Sequence, residues 1–193
     1  MRFRHLRPAD FSVMQWQNGR GTTTELFREN DATGDLLWRL SRADVTESGP
    51  FSALPGIDRI LMLLEGVGFD LDFGTHGYVK VTEPLVPVVF SGDWPTRAEN
   101  VRGPSRDLNL MLARGRAAAE ISVIRGAGAA PMADRSVFLA LDTSVRISAG
   151  PTERALGAGD LLIVSGAAGA VATVTGPGAL VRVDIAIAAS ALS

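Results

Sequence analysis

Cysteine is absent from the chain, and its absence excludes disulfides, thiolate metal sites and cysteine nucleophiles together. A cysteine-free chain fits the reducing cytoplasm, the location expected here. Histidine is almost as scarce, with only the isolated His5 and His76. The usual β-barrel metalloenzyme needs two histidines one residue apart, a glutamate and a third histidine, so neither metal nor cofactor is expected. A Ser-His-Asp triad has no nucleophile-elbow motif to support it. Lys80 is the sole lysine among 19 basic residues. We attribute that bias to the base composition of the source rather than to function. Net charge is −2 and no basic stretch is long, so nucleic acid is not an expected partner. No apolar run approaches the length of a membrane span. The basic start, Met1 to Pro8, has no apolar segment behind it and does not read as a signal peptide.

What remains is a chain of 193 residues, 46% hydrophobic, enough for one large domain or two small ones. Glycine and proline punctuate short strand-like stretches, and no long segment has helical periodicity. Strands are expected at 120–124, 137–141, 145–148, 161–164, 171–175 and 179–187. This is the pattern of an all-β sandwich or barrel.

The most informative stretch is 49–66. Two breaker pairs, Gly49-Pro50 and Pro55-Gly56, lead to Asp58-Arg59 and then to the apolar run Ile60–Leu64. A run without a polar face reads as a strand buried on both sides. Gly66-Val67-Gly68 permits a reversal into Phe69–Phe73, which alternates apolar and acidic residues like a half-exposed strand. Asp70 and Asp72 therefore read as an outer, solubilising face. Arg59 at the mouth of a buried strand needs an acidic partner or an anionic ligand. Asp58 is the nearest candidate for a structural ion pair.

Alternation supplies the other candidates. Arg39, Ser41 and Ala43 share one face of the segment 36–44, opposite Trp38 and Leu40. Asp107, Asn109 and Met111 share one face of 107–112, opposite Leu108, Leu110 and Leu112. These polar faces either meet solvent or line a cavity. Asn18-Gly19 and Gly21 mark a turn before the strand-forming Thr22–Phe27.

A faint repeat links Asp58–Leu63 to Asp134–Leu139, and Val89–Gly92 to Ile163–Gly166. It points to two β-barrel halves from an internal duplication, expected at 1–112 and 113–193 and packed as one compact unit. The second half is poorer in polar residues, which places the site in the first.

Several motifs in series resemble the HutD/Ves family: Trp16–Glu25, Trp38–Ser41, Gly49–Ser52, Pro55–Arg59, Leu64–Gly66, Phe90–Asp93 and Asp107–Met111. The likeness covers about residues 5–112. The family usually has three glycines after the Asn, and Arg20 replaces the middle one here. The resemblance implies a metal-free, jelly-roll-like bicupin linked in some members to histidine utilisation. Such a protein would sense or buffer an intermediate such as urocanate or formylglutamate. It makes Arg59 the anchor of a ligand carboxylate, a role suited to the two parallel hydrogen bonds of a guanidinium. Arg39 and Ser41 would be secondary contacts, Asn18 and Glu25 would shape the mouth, and Asn109 and Met111 the wall. The expected partner is a small anionic metabolite, and exposed sheet edges give a motive for a homodimer. No feature demands catalysis. The alternative is a metal-independent isomerase or hydrolase on a small acid, with Glu25 or Asp58 as general base.

Overall fold

The computed structural model describes residues 1–16 and 21–191. Among these, regular structure consists of β-strands and three short 3-10 turns, with no α-helix. In chain order the strands are β1 (Arg2–Leu6), β2 (Ser12–Gln15), β3 (Gly21–Asn30), β4 (Leu36–Val45), β5 (Gly49–Pro50) and β6 (Ile57–Gly66). There follow β7 (Phe69–Asp72), β8 (Tyr78–Val81), β9 (Pro87–Ser91), β10 (Arg97–Glu99), β11 (Ser105–Ala113) and β12 (Ala117–Arg125). The last are β13 (Gly128–Pro131), β14 (Arg135–Ala140), β15 (Val145–Ala149), β16 (Thr152–Leu156), β17 (Leu161–Ser165), β18 (Val171–Thr175) and β19 (Ala179–Ile187). β13 and β16 escape the sequence reading. One is four residues of glycine, alanine and proline, and both are completed by ladders to β18 and β15.

The chain forms two compact units, and no single cut separates them. Met1–Phe11 join Ala118–Ile187, because β1 pairs along its whole length with β17. The other unit comprises Ser12–Ala117 and the residues from Ala188. Each unit has two sheets. In the 12–117 unit the orders are β2-β3-β4-β11-β6-β9 and β5-β10-β7-β8. In the 118–187 unit they are β1-β17-β14-β19-β12 and β13-β18-β15-β16. The eight strands β4 to β11 and the eight strands β12 to β19 thus repeat one order, that of a jelly roll. Among the described residues no sheet closes on itself.

The core of the 12–117 unit gathers Leu61 and Leu63 of β6, Phe69 and Leu71 of β7, Phe90 of β9 and Val45 of β4. Ile60–Leu63 are all buried, as an unbroken apolar run requires. Asp70 is a correction: its residue is 7% exposed, and it accepts a hydrogen bond from Asn100 Nδ2 at 2.6 Å. It is a satisfied interior carboxylate, not part of a solubilising face.

Candidate ligand-binding site

Four adjacent strands, β3, β4, β11 and β6, build one wall of the site. Their antiparallel registers align side chains in cross-strand rows. One row is Arg28, Arg39, Met111 and Arg59; the next is Glu25, Ser41, Asn109 and Leu61; the third is Thr23, Ala43, Asp107 and Leu63. Strand alternation turns all of them to the same face. Arg28 joins only because a bulge between Glu25 and Phe27 shifts the register by one residue. All of these but Leu61 and Leu63, together with Trp16 and residues of the segment Pro50–Leu54, line a cavity of about 700 Å³, within the range of small-metabolite pockets.

The segment before β6 is tied down from outside. Leu54 N–H donates to the Gly92 carbonyl at 2.8 Å, and Gly56 N–H donates to Asp93 Oδ1 at 2.9 Å. A Cβ on Gly92 would lie 2.6 Å from the Leu54 carbonyl oxygen, so only glycine permits this approach. Asp58 belongs to the same clamp: Arg114 Nε donates to it at 2.8 Å. It is therefore not the partner of Arg59. Adjacent residues of a strand point to opposite faces, so Asp58 looks out where Arg59 looks in.

Within the cavity the polar groups fall into two classes. Glu25, Arg39 and Ser41 are already satisfied: Arg39 Nε donates to Glu25 Oε2 at 2.6 Å, and Ser41 Oγ donates to the Asn109 carbonyl at 3.4 Å. Arg59, Asp107 and Asn109 are not. Arg59 is 3% exposed and Asp107 0%. Arg59 Nε, both carboxylate oxygens of Asp107, and Asn109 Oδ1 are buried with no hydrogen-bond partner among the described residues. The guanidinium of Arg59 lies over two rings, 5.1 Å from the centroid of Phe51 and 5.0 Å from that of Phe90. These cation–π contacts fix it without using its N–H groups.

Burial pushes the Asp107 carboxyl up to about 7, against the attraction of Arg59 and with added repulsion from Asp44. Burial likewise lowers Arg59 to about 10, against the attraction of Asp107. Their mutual attraction offsets only part of the cost of burying them. Among the described residues no group of three or more His, Asp or Glu could hold a metal ion.

Of the residues expected from the sequence, Arg59, Arg39, Ser41, Glu25, Asn109 and Met111 all line this cavity. Asn18 lies outside the described residues, as does Arg20. Asp107 was visible on the alternating face beside Asn109 and Met111, but nothing in its sequence neighbourhood marked it as buried. Phe51 is brought to Arg59 only by tertiary packing.

A family model described as HutD matches residues 8–182. The chain belongs to the HutD family. Among HutD relatives, an uncharacterized 21.2 kDa protein in the hutC 3′ region of Pseudomonas putida is 34% identical over 167 residues, 83% of this chain and 86% of that protein. Protein Ves of Citrobacter koseri is 37% identical over 112 residues, and the match spans 58% of each chain. The structure of HutD from Pseudomonas fluorescens SBW25 (formate condition) is similar at a TM-score of 0.82 and 29% identity, covering 96% of this chain and 100% of that one. A Cupin 2 conserved barrel domain protein from Leptotrichia buccalis, 9% identical at a TM-score of 0.56 over 96% of each chain, is alike in fold alone. This HutD-family chain is thus all-β and cupin-like.

Proposed function

We propose that the 12–117 unit binds a small anionic metabolite whose carboxylate is held by Arg59. On this reading the protein is a cytoplasmic, metal-independent bicupin that senses or buffers an intermediate of histidine utilisation, such as formylglutamate or urocanate. The observation that carries it is Arg59 itself: a buried guanidinium, in contact with two aromatic rings, with an unpartnered Nε–H in a 700 Å³ cavity. A buried arginine without such a partner is costly, and a ligand carboxylate supplies the missing acceptors. The repeated strand order supports the duplication, and the Pseudomonas putida relative is described by its place beside hutC. The test is a thermal shift screen with formylglutamate, urocanate, formiminoglutamate, glutamate and histidine. An acid at about a hundredfold over its Kd stabilises by nearly 3 kcal/mol. The shift is expected in the wild type and not in Arg59→Ala; equal shifts in both overturn the assignment of Arg59.

A second reading, a metal-independent enzyme on a similar acid, is favoured by one feature: a buried wall carboxyl, Asp107, that desolvation pushes up to about 7. Its general base would then be Asp107. Asp58 faces outward on Arg114, and Glu25 is engaged by Arg39. It predicts product from one of these acids on overnight incubation without added metal, lost in Asp107→Asn.

A further inference from the structure

Arg59 and Asp107 stand in the first and third rows of the wall, with Asn109 in the row between them. No hydrogen bond joins them, since both Asp107 oxygens lack a partner. A carboxylate lying over Asn109 would therefore meet a guanidinium on one side and a carboxyl group on the other. If Asp107 stayed ionised, two carboxylates would share one buried guanidinium, and the set would carry a net negative charge out of water. Two close carboxylates in such a place hold one proton between them. With Asp107 in its acid form the same set is neutral. Its O–H, from a carboxyl group that has no hydrogen-bond partner in the wall, then has an acceptor in the ligand.

We propose that the site takes up its ligand together with one proton from solvent, carried on Asp107, whose O–H donates to the carboxylate that Arg59 holds. The ligand class is then a monoanionic carboxylate end, bound as anion plus proton. This rests on the reading that an acid binds here, and it adds Asp107 to the groups that touch it.

The surroundings leave Asp107 as the group that couples to pH. From β3 the wall presents Glu25 and Arg28, and from β4 Arg39, which is paired with Glu25. From β6 it presents Arg59. Asp44 acts on Asp107 from β4 while hydrogen-bonded to Arg106 at 2.7 Å. Neither His5 nor His76 lines the cavity. Burial pushes the Asp107 carboxyl up to about 7 in the empty site, so it is mostly ionised by pH 8 and the proton found in the complex there comes from solvent.

The experiment is isothermal titration of the full chain with N-formylglutamate from pH 6 to 9, in buffers of different ionisation enthalpy. For the wild type, Kd is expected to be level below about pH 7 and to weaken about tenfold per pH unit above it, with nearly one proton taken up per ligand at pH 8. Asp107→Asn should bind with the same Kd at pH 6 and pH 8 and take up no proton. In the wild type at pH 8, the 13Cγ resonance of Asp107 should move to its acid position as ligand is added. Binding at pH 8 without proton uptake, a pH slope that survives in Asp107→Asn, or a 13Cγ resonance that stays at its carboxylate position overturns the inference and leaves the acid site intact. Absence of binding to any carboxylate in the screen, at pH 6 and pH 8 alike, overturns both.

Discussion

The two units share a strand order and treat their polar residues in opposite ways. In the 12–117 unit, Phe90, Arg59 and Met111 form a row across β9, β6 and β11. The matching row across β17, β14 and β19 is Val164, Ser136 and Asp184. One row further in, Leu61 and Asn109 are matched by Phe138 and Arg182; beyond that, Leu63 and Asp107 are matched by Ala140 and Leu180. Where the first unit has an isolated arginine, an asparagine and an aspartate, the second has a set paired largely within itself, with Arg182 Nε left over. Ser136 Oγ donates to Asp184, Arg182 is ion-paired to Asp184, and Arg182 also donates to the Pro131 carbonyl. Phe138, Leu162, Val164 and Leu180 pack beside it. The same strand order carries a largely self-paired interior in one unit, where Arg182 Nε is left without a partner, and several unsatisfied groups around a cavity in the other. Unpaired buried polar groups cost stability, so their concentration in one unit marks where a ligand would supply what the chain does not.

This contrast can be broken from either side. The largest effect is expected in the paired set: Asp184→Ala leaves Arg182 buried without its partner and should cost about 3–5 kcal/mol in chemical denaturation. Ligand affinity of the folded fraction should be unchanged. In the open set, Arg59→Ala should weaken binding of the acid by about 2–5 kcal/mol by calorimetry, and a smaller loss would mean that Arg59 is not the anchor.

Asp107→Asn should do the reverse of Asp184→Ala and stabilise the protein. The folded-state value of Asp107 is raised from 3.8 to about 7. Between those values the folded state holds a proton that the unfolded state has released, so wild-type stability falls as pH rises through this window and levels off above it. The variant removes that fall, and its advantage should grow by roughly 4 kcal/mol between pH 4 and pH 8, at about 1.4 kcal/mol per pH unit across the window. Denaturation curves at the two pH values check it; an advantage that does not grow with pH would place the unsatisfied charge elsewhere. The smallest effect is expected outside the cavity. Asp58→Asn touches only an exposed ion pair and should leave affinity for the acid unchanged.

Much of the site was legible. Alternation alone placed Arg39 with Ser41, and Asp107 with Asn109 and Met111. The uncharged run Ile60–Leu64 marked the strand that holds Arg59 inward. The recurring strand order was legible only up to its register. Matching Asp58–Leu63 to Asp134–Leu139 pairs Arg59 with Arg135. The structure matches Arg59 with Ser136 instead, since Leu61 and Phe138 face the cores of their units. Phe90 and Val164, matched correctly by the sequence, pair with Arg59 and Ser136. A slip of one residue exchanges the two faces of a strand, and apolar runs such as Ile60–Leu64 give the eye nothing to detect it with.

The sequence by itself determined the all-β class, the strand that carries Arg59, and which residues share a face, because period-two alternation and the turn residues are local properties. Tertiary structure decided which face encloses a cavity, which carboxylate accompanies which arginine, and which polar groups remain without partners. Asp58 is next to Arg59 in the chain and faces away from it, whereas Asp107 is distant in the chain and shares its cavity. Proximity along a strand is set by the backbone, but electrostatic partnership is set by the packing of β11 against β6. Desolvation is a property of the enclosed space, and no stretch of sequence contains it.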